Sequence, residues 1–294
     1  MKVGIYGQFY HKKSGNYISF LLDSLQQYGV DIYIEKKLYS AFAEENKVDT
    51  TYNTFESYHD LDNSFDVFFS IGGDGTILRT ITLVQDLDIP IIGINTGRLG
   101  FLATIQKEEI QTAIAKIVKN EYAIEERSVL AVTTSPENED ILNMNFALNE
   151  VTVARKDTTS MITVKTHLND EYLTSYWADG LIIATPTGST GYSLSCGGPV
   201  ITPNNNSFVL TPIAPHNLNA RPLVIPDHTS IRLEVSGRED KHLISLDSRI
   251  ATVDINSTII IKKAPFTIKL IELEGESFLK TLRKKLLWGE DKRN

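Results

Sequence analysis

Across 294 residues there is one cysteine, Cys196. An intrachain disulfide is therefore excluded, and so is a zinc site built from cysteines. No apolar run approaches the roughly 20 residues that a membrane-spanning helix needs. Positive charge is short as well: 29 Lys and Arg stand against 37 Asp and Glu, a formal net charge of -8. That balance argues against a nucleic-acid surface or a polybasic membrane anchor. It leaves a phosphate ligand open, because local amides and metals outweigh a modest net charge. There is no internal repeat and no low-complexity segment. The chain runs from Met1 straight into a strand-like Lys2-Val3-Gly4-Ile5-Tyr6 with no signal peptide, so a reduced, cytoplasmic location is expected. What is present, 41% hydrophobic and 22% charged residues, is an ordinary globular composition with length enough for two domains.

One stretch organises the rest: Ser70-Ile-Gly-Gly-Asp-Gly-Thr76. Asp66 to Ile71 reads as a buried strand that ends abruptly at two glycines. Thr76 to Val84 reads as a helix with Ile77, Ile81 and Val84 on one face. Gly72-Gly73-Asp74-Gly75 is then a strand-to-helix turn. Helix N-termini expose unpaired N–H groups and carry partial positive charge, which suits phosphates. Glycine lets backbone approach a ligand closely. Asp74 does not fit a plain phosphate cradle, since a carboxylate repels phosphate unless a proton or a metal intervenes. It points to general-base or metal-facing chemistry. A tight turn with an Asp helix cap is the plain alternative.

Around that turn, strands alternate with helices. Val3 to Gly7 and Val30 to Ile34 are strand-like, and between them Ser14 or Asn16 could cap a helix burying Ile18, Leu21, Leu22 and Leu25. The polar section that follows, to about Asn63, has no clear period. Ile89 to Ile94 is a short buried strand whose exit is Asn95-Thr-Gly-Arg-Leu-Gly-Phe101. Lys107 to Lys119 is an amphipathic helix with Ile110, Ala113, Ile114 and Ile117 inward. Such alternation predicts a mostly parallel sheet with ligands at its carboxyl edge. Near Tyr122 the character changes to a succession of strand-like runs ending near Ile271. Asn169-Asp170 marks a tight hairpin turn, and Ser135 to Asn143 a polar hairpin loop. Glu276 to Trp288 reads as a last helix with Leu279, Leu282, Leu286 and Leu287 on an apolar face and a basic C-terminal run. The expected organisation is an α/β domain over 1–122, joined by the C-terminal helix 272–294, and a β-rich domain over 123–271.

In the second part, Thr185-Pro-Thr-Gly-Ser-Thr-Gly-Tyr-Ser-Leu-Ser-Cys-Gly-Gly-Pro199 follows a strand and carries no charge. Small hydroxyl residues of this kind hydrogen-bond sugar hydroxyls, amides and base edges. Tyr192 adds a flat face for stacking. The plain alternative is a capped helix start packed closely on a sheet. Asp179, beside Gly180, is a lone acid at a strand start that could meet a ligand amide or solvent. Asn149-Glu150 interrupts an apolar strand pattern, Phe146 to Val153. Neighbouring strand side chains face opposite ways, so one of the pair faces the core side or a cleft. A buried carboxylate is costly without partners; an exposed edge is the alternative.

Taken together, these motifs resemble the NAD kinase family. The matching residues are Gly72-Gly-Asp-Gly75, Asn95-x-Gly-x-Leu-Gly-Phe101, Asn149-Glu150, Asp179-Gly180, Thr185-Pro-Thr-Gly-Ser-Thr190, Tyr192 and Gly197-Gly-Pro199. Pro212 to Leu218, Arg221-Pro222 and Ser245-Leu-Asp247 complete the series. Gly-Gly-Asp-Gly alone is shared with lipid kinases and phosphofructokinases; the ordered series is specific. The resemblance implies phosphoryl transfer from ATP to the 2′-hydroxyl of the adenosine ribose of NAD, giving NADP, with Mg²⁺ or another divalent cation on the donor phosphates and no metal ligand assigned. It implies an α/β, Rossmann-like N-terminal domain, an all-β C-terminal domain, an active site in the crevice between them, and a homo-oligomer, dimer or tetramer.

Carried over by position, Asp74 is the general base. Gly72, Gly73, Gly75, Asn95, Gly97 and Arg98 belong to the ATP phosphates. Phe101, Asn149, Glu150, Asp179, Thr187, Ser189, Thr190, Tyr192, Ser195 and Asp247 belong to NAD. His216 and Arg221 match too, as packed or loop-pinning residues as readily as ligand contacts. The chain departs from the family pattern at Trp177, where many relatives carry Arg, at Ser248 for Gly, at Arg249 for Gln, and at Gly191 and Cys196 for Ala. A catalytically silent NAD(H)-binding sensor, or a lipid or sugar-phosphate kinase of the same superfamily, is the alternative reading.

Overall fold

The structure, a computed structural model, describes residues 1–8, 12–46, 51–157 and 160–288. The chain divides into two compact units, Met1–Glu126 with Ile268–Asn294, and Arg127–Thr267. None of the helices described is long and apolar enough to cross a membrane.

In the first unit β1 (Lys2–Gly7) is followed by α1 (Lys12–Gln26), β2 (Asp31–Glu35), α2 (Lys36–Asn46) and β3 (Asn53–Phe55). Helix α1 buries Ile18, Leu21, Leu22 and Leu25, the face set by i, i+3, i+4, i+7 spacing. It begins at Lys12, ahead of both residues considered as caps. Gly29, at φ +63°, follows its end. In the stretch without a clear period, α2 and β3 bury only Leu38, Phe42 and Phe55, too few apolar residues to make a pattern. Then come β4 (Val67–Gly72), α3 (Asp74–Val84), β5 (Ile91–Asn95), α4 (Ile110–Val118), preceded by a 3₁₀ turn, and β6 (Tyr122–Arg127). Helix α4 buries the four residues expected of it.

The second unit comprises β7 (Leu130–Ser135), α5 (Glu139–Leu142), β8 (Phe146–Ala147), β9 (Glu150–Arg155), β10 (Ile162–Leu168), β11 (Glu171–Ala178) and β12 (Gly180–Ala184). It continues with α6 (Tyr192–Ser195), β13 (Ser207–Ile213), β14 (Leu223–Pro226), β15 (Ile231–Ser236), β16 (Lys241–Leu246), β17 (Arg249–Asp254) and β18 (Thr258–Lys263). Two six-stranded sheets result, ordered β11-β10-β15-β18-β7-β8 and β14-β13-β12-β9-β16-β17. Their pairings are antiparallel. Alternate residues of both sheets, among them Val132, Val164, Leu181, Phe208, Leu233 and Ile244, share one core. Asn169 and Asp170 take positive φ at the β10–β11 turn, as that hairpin requires. The polar Ser135–Asn143 stretch holds a short helix, α5, capped by Asn138.

The chain then returns to the first unit with β19 (Ile268–Leu273) and α7 (Phe278–Leu286). This corrects the expectation that the run ending near Ile271 closes the β-rich part. Leu270 pairs in parallel with Ile91, and the first sheet is ordered β3-β2-β1-β4-β5-β19-β6. The residues of β19 suit a place in either sheet; the partner decides, and the partner lies about 180 positions away in sequence. The order reverses between β1 and β4, which makes their carboxyl ends the switch point where ligands of open α/β sheets bind.

Candidate active site

Each unit holds one constellation of the expected residues. In the first, β4 delivers the chain to Gly72, at φ +156°, where a Cβ would lie 2.1 Å from Thr76 Oγ1. Only glycine lets the first turn of α3 close so tightly over the strand end. Gly73 is the N-cap and provides no side-chain cap, and Asp74 opens the helix. A Cβ at Gly73 or Gly75 would meet nothing within 4 Å. Among the described residues, the space beside Gly73 and Gly75 is therefore open, and of Gly72–Gly75 only Asp74 brings a side chain to it.

Asp74 is held firmly. Its Oδ2 accepts the backbone N–H of Phe101 at 2.8 Å, and its Oδ1 accepts those of Leu102 and Ala103, both at 3.0 Å. A carboxylate has about four acceptor sites, so one remains, on Oδ2. Gly100 makes this seat possible: a Cβ there would stand 1.9 Å from Asp74 Oδ1. Asn95 shapes the same loop. Its Oδ1 accepts Gly97 N–H at 2.7 Å, and its Nδ2 donates to Arg98 O at 2.9 Å and Ala103 O at 3.0 Å. Both N–H donors of this buried amide are engaged in folding the loop. Gly97 and Arg98 are exposed. The Phe101 ring packs 6.1 Å from that of Phe278, and Lys285 Nζ lies over it at 5.6 Å. A cleft of about 470 Å³ in this unit, lined by Gly7, Glu35, Leu38, Glu56, Arg79 and Thr82 among others, includes none of Gly72–Gly75.

In the second unit the expected continuous strand is broken. β8 ends at Ala147 in one sheet and β9 begins at Glu150 in the other, so the chain changes sheets at Leu148-Asn149. Strict alternation therefore does not apply to Asn149 and Glu150. Asp247 holds the crossing. It accepts the N–H groups of Leu148 at 3.0 Å, Asn149 at 2.8 Å and Glu150 at 3.2 Å. The Asp247 side chain is 1% exposed, with Arg249 Nη2 at 3.9 Å. Burial pushes its carboxyl above the usual range, against those amides and the guanidinium. Asp247 shapes the backbone at this crossing.

Among the described residues, the buried Asn149 Oδ1 and Glu150 Oε2 have no hydrogen-bond partner. Burial, and secondarily the Asp247 charge, pushes the Glu150 carboxyl up to about 8, although the Tyr192 N–H donates to it. The turn carrying the hydroxyls closes over this pair. A Cβ at Gly188 would lie 2.0 Å from Asn149 O, and one at Gly191 3.0 Å from Glu150 Oε2. Thr185, which opens the motif but has no role of its own in the sequence reading, donates Oγ1–H to Leu148 O at 2.6 Å. Ser189 is fully buried, donates to Pro186 O at 2.7 Å and accepts Ile201 N–H at 2.9 Å. Its hydroxyl is engaged in the fold of the turn. Thr187 is buried, and Thr190 donates to Thr187 O at 3.2 Å. Ser195 is exposed, and so is the Tyr192 side chain. Burial, Cys196 and the charges of Asp179 and Glu150 all raise the Tyr192 phenol, so these groups are neighbours. Asp179 Oδ2 pairs with Arg155 Nη2 at 3.0 Å, a partner that no motif announced.

The model of the ATP-NAD kinase N-terminal domain matches residues 3–122, and that of the ATP-NAD kinase C-terminal domain matches 148–273. The NAD kinase of Christiangramia forsetii is 61% identical over the whole of both chains, and that of Flavobacterium psychrophilum 56% identical, again over the whole of both. The chain belongs to the NAD kinase family. Among solved structures, an NAD kinase from Archaeoglobus fulgidus in complex with ATP is 26% identical, with a TM-score of 0.74 over 98% of this chain and 99% of that one. Yeast NADH kinase complexed with NADH, at 21% identity, shares the fold with a TM-score of 0.87, covering 99% of this chain and 88% of that one.

Where this NAD kinase sequence departs from the family pattern, the geometry gives reasons. At the β16–β17 turn the positive φ falls on Asp247 and not on Ser248, so no glycine is needed at 248. Arg249 donates to Met144 O at 2.9 Å and to Phe146 O, with its guanidinium 5.1 Å from the Phe146 ring. Trp177 is exposed, and its ring stands 4.9 Å from that of His216. Arg221 donates to Leu218 O and Ala220 O, pinning its own loop.

Proposed function

We infer that the chain is an NAD kinase in which Asp74 takes the proton of the adenosine-ribose 2′-hydroxyl of NAD as that oxygen attacks the γ-phosphorus of ATP. The new bond joins O2′ to phosphorus, the bond to ADP breaks, and the products are NADP, ADP and a proton first held by Asp74. One observation carries this reading. Within Gly72–Gly75 Asp74 alone has a side chain, and three amides fix it with one acceptor site free among the described residues. A hydroxyl is a poor nucleophile until a positioned base removes its proton.

The open space at Gly73 and Gly75 suits donor phosphates beside the uncapped N-terminus of α3. Arg98 is an exposed cation on the loop whose amides seat Asp74. The orphaned Asn149 Oδ1 and Glu150 Oε2 suit ribose hydroxyls or the adenine amine, since a buried acceptor without a donor is costly. Tyr192 offers a ring face, Thr187, Thr190 and Ser195 flank it, and Asp179 has an oxygen free of Arg155 for a carboxamide. Phe101 contributes its N–H to Asp74 and a half-buried ring.

A divalent cation, Mg²⁺ first, is part of the reading. Among the described residues no group of three His, Cys, Asp or Glu is placed to hold a metal. The cation is expected on the donor phosphates, whose oxygens with water would be its ligands and whose charge it would offset. Chelating it should abolish NADP formation without displacing NAD. The reading extends to a cytoplasmic homo-oligomer.

The deciding experiment is Asp74→Asn. NAD binding is expected to persist while turnover falls by about 10²- to 10⁴-fold, the usual weight of a general base. Turnover near the wild-type rate would remove Asp74 from this role. Binding with no turnover in the wild-type protein under any donor would favour the sensor.

A further inference from the structure

The C-terminal helix touches the loop that seats Asp74, and no motif of the sequence accounts for it. Helix α7 is capped by Ser277, whose side chain accepts Lys280 N–H, and it buries Thr281 and Leu282. Two of its side chains reach the loop after β5. Phe278 sets its ring 6.1 Å from the Phe101 ring, the two planes tilted by 34°. Lys285, two turns later, donates from Nζ to Leu99 O and lies 5.6 Å above the Phe101 ring. Leu99 and Phe101 flank Gly100, where no Cβ fits against Asp74. The next N–H groups along the chain, from Phe101 to Ala103, are the three that Asp74 accepts. The carboxylate, the loop and the helix thus form one connected set within a single unit.

We propose that Lys285 and Phe278 are positioning residues for Asp74: by gripping Leu99 and Phe101 they hold the three amides that aim its carboxylate. The proposal rests on the reading of Asp74 as the base. The physical basis is that a reacting group works through its orientation, and an error near 1 Å costs about a hundredfold in rate. The other bonds that order this loop fall at its ends: the Asn95 side chain on Gly97, Arg98 and Ala103, Thr96 N–H on Gly72 O, and Ile105 paired with Gly93 and Asn95. Lys285 is exposed, so its removal leaves the fold intact. The cation over the ring and the bond to a carbonyl are both available to arginine, whereas a neutral side chain supplies neither.

Lys285→Ala, Lys285→Arg and Phe278→Leu are to be compared with the wild type by steady-state kinetics for NAD and ATP, alone and with Asp74→Asn. Lys285→Ala should lower kcat about tenfold, with both KM values within about twofold, because orientation is lost and binding is not. Lys285→Arg should recover most of that rate, and Phe278→Leu should fall between. In the Asp74→Asn background Lys285→Ala should cost nothing further, since a residue acting through Asp74 has nothing left to position. An unchanged kcat in Lys285→Ala, a loss confined to KM, or a full additional loss on top of Asp74→Asn would each overturn the proposal. The base assignment fails separately, if Asp74→Asn alone keeps the wild-type rate.

Discussion

Glu150 is an acid kept in its protonated form by burial and by the Asp247 carboxylate, with a carboxyl pushed up to about 8. The sign of its effect on stability follows. The unfolded chain ionises Glu150 near 4.5, while the folded apoprotein keeps the proton until about 8. The folded state therefore binds more protons through this window, and stability falls as pH rises across it, by on the order of 4 kcal/mol. Glu150→Gln removes that dependence and keeps the shape. The melting temperature of the variant relative to wild type should climb as pH rises from 5 to 8 in the absence of ligand. A difference that does not vary with pH would mean that Glu150 is already ionised in the fold. Asn149 and Glu150 stand out in the sequence because polar residues interrupt an apolar run. Alternation alone cannot say which way they face, because the strand it presumes ends at Ala147. What fixes them is Asp247, almost 100 positions on.

At the scale of elements, two carboxylates do parallel work. Asp74 gathers three consecutive amides of the loop after β5, and Asp247 gathers three at the crossing from β8 to β9. Neither arrangement is visible in local sequence, for both join residues far apart along the chain. The helices were legible because their apolar spacing is local: α1, α3 and α4 each bury the face that spacing predicts. The glycines divide by what surrounds them. Gly100→Ala must push its Cβ against Asp74 and should lower kcat by at least about tenfold. Gly97→Ala, in open space without positive φ, should stay within about twofold of wild type at that step. Equal effects of the two substitutions, read in the same kinetic assay, would show that the seat on Asp74 does not matter to turnover.

On the scale of the whole molecule, the chain leaves the first unit, builds the second and returns with β19 and α7. The change of character at Tyr122 falls at β6, which still belongs to the first sheet, and the units divide after Glu126. The return was legible only for the last helix, because β19 reads like the strands before it and takes its place from its pairing with β5. Self-association is part of the proposed function, and light scattering of the purified protein should give a dimer or tetramer; a monomer at working concentration would contradict it. The central claim is that Asp74 is the proton acceptor in making NADP from NAD and ATP. Its most direct test supplies wild type and Asp74→Asn with ATP, Mg²⁺ and NAD and follows NADP with an NADP-specific dehydrogenase, with NAD binding measured by calorimetry. The account predicts NADP from the wild type, a loss of about 10²-fold or more in the variant, and unchanged NAD binding. NADP formed by the variant at the wild-type rate would contradict it.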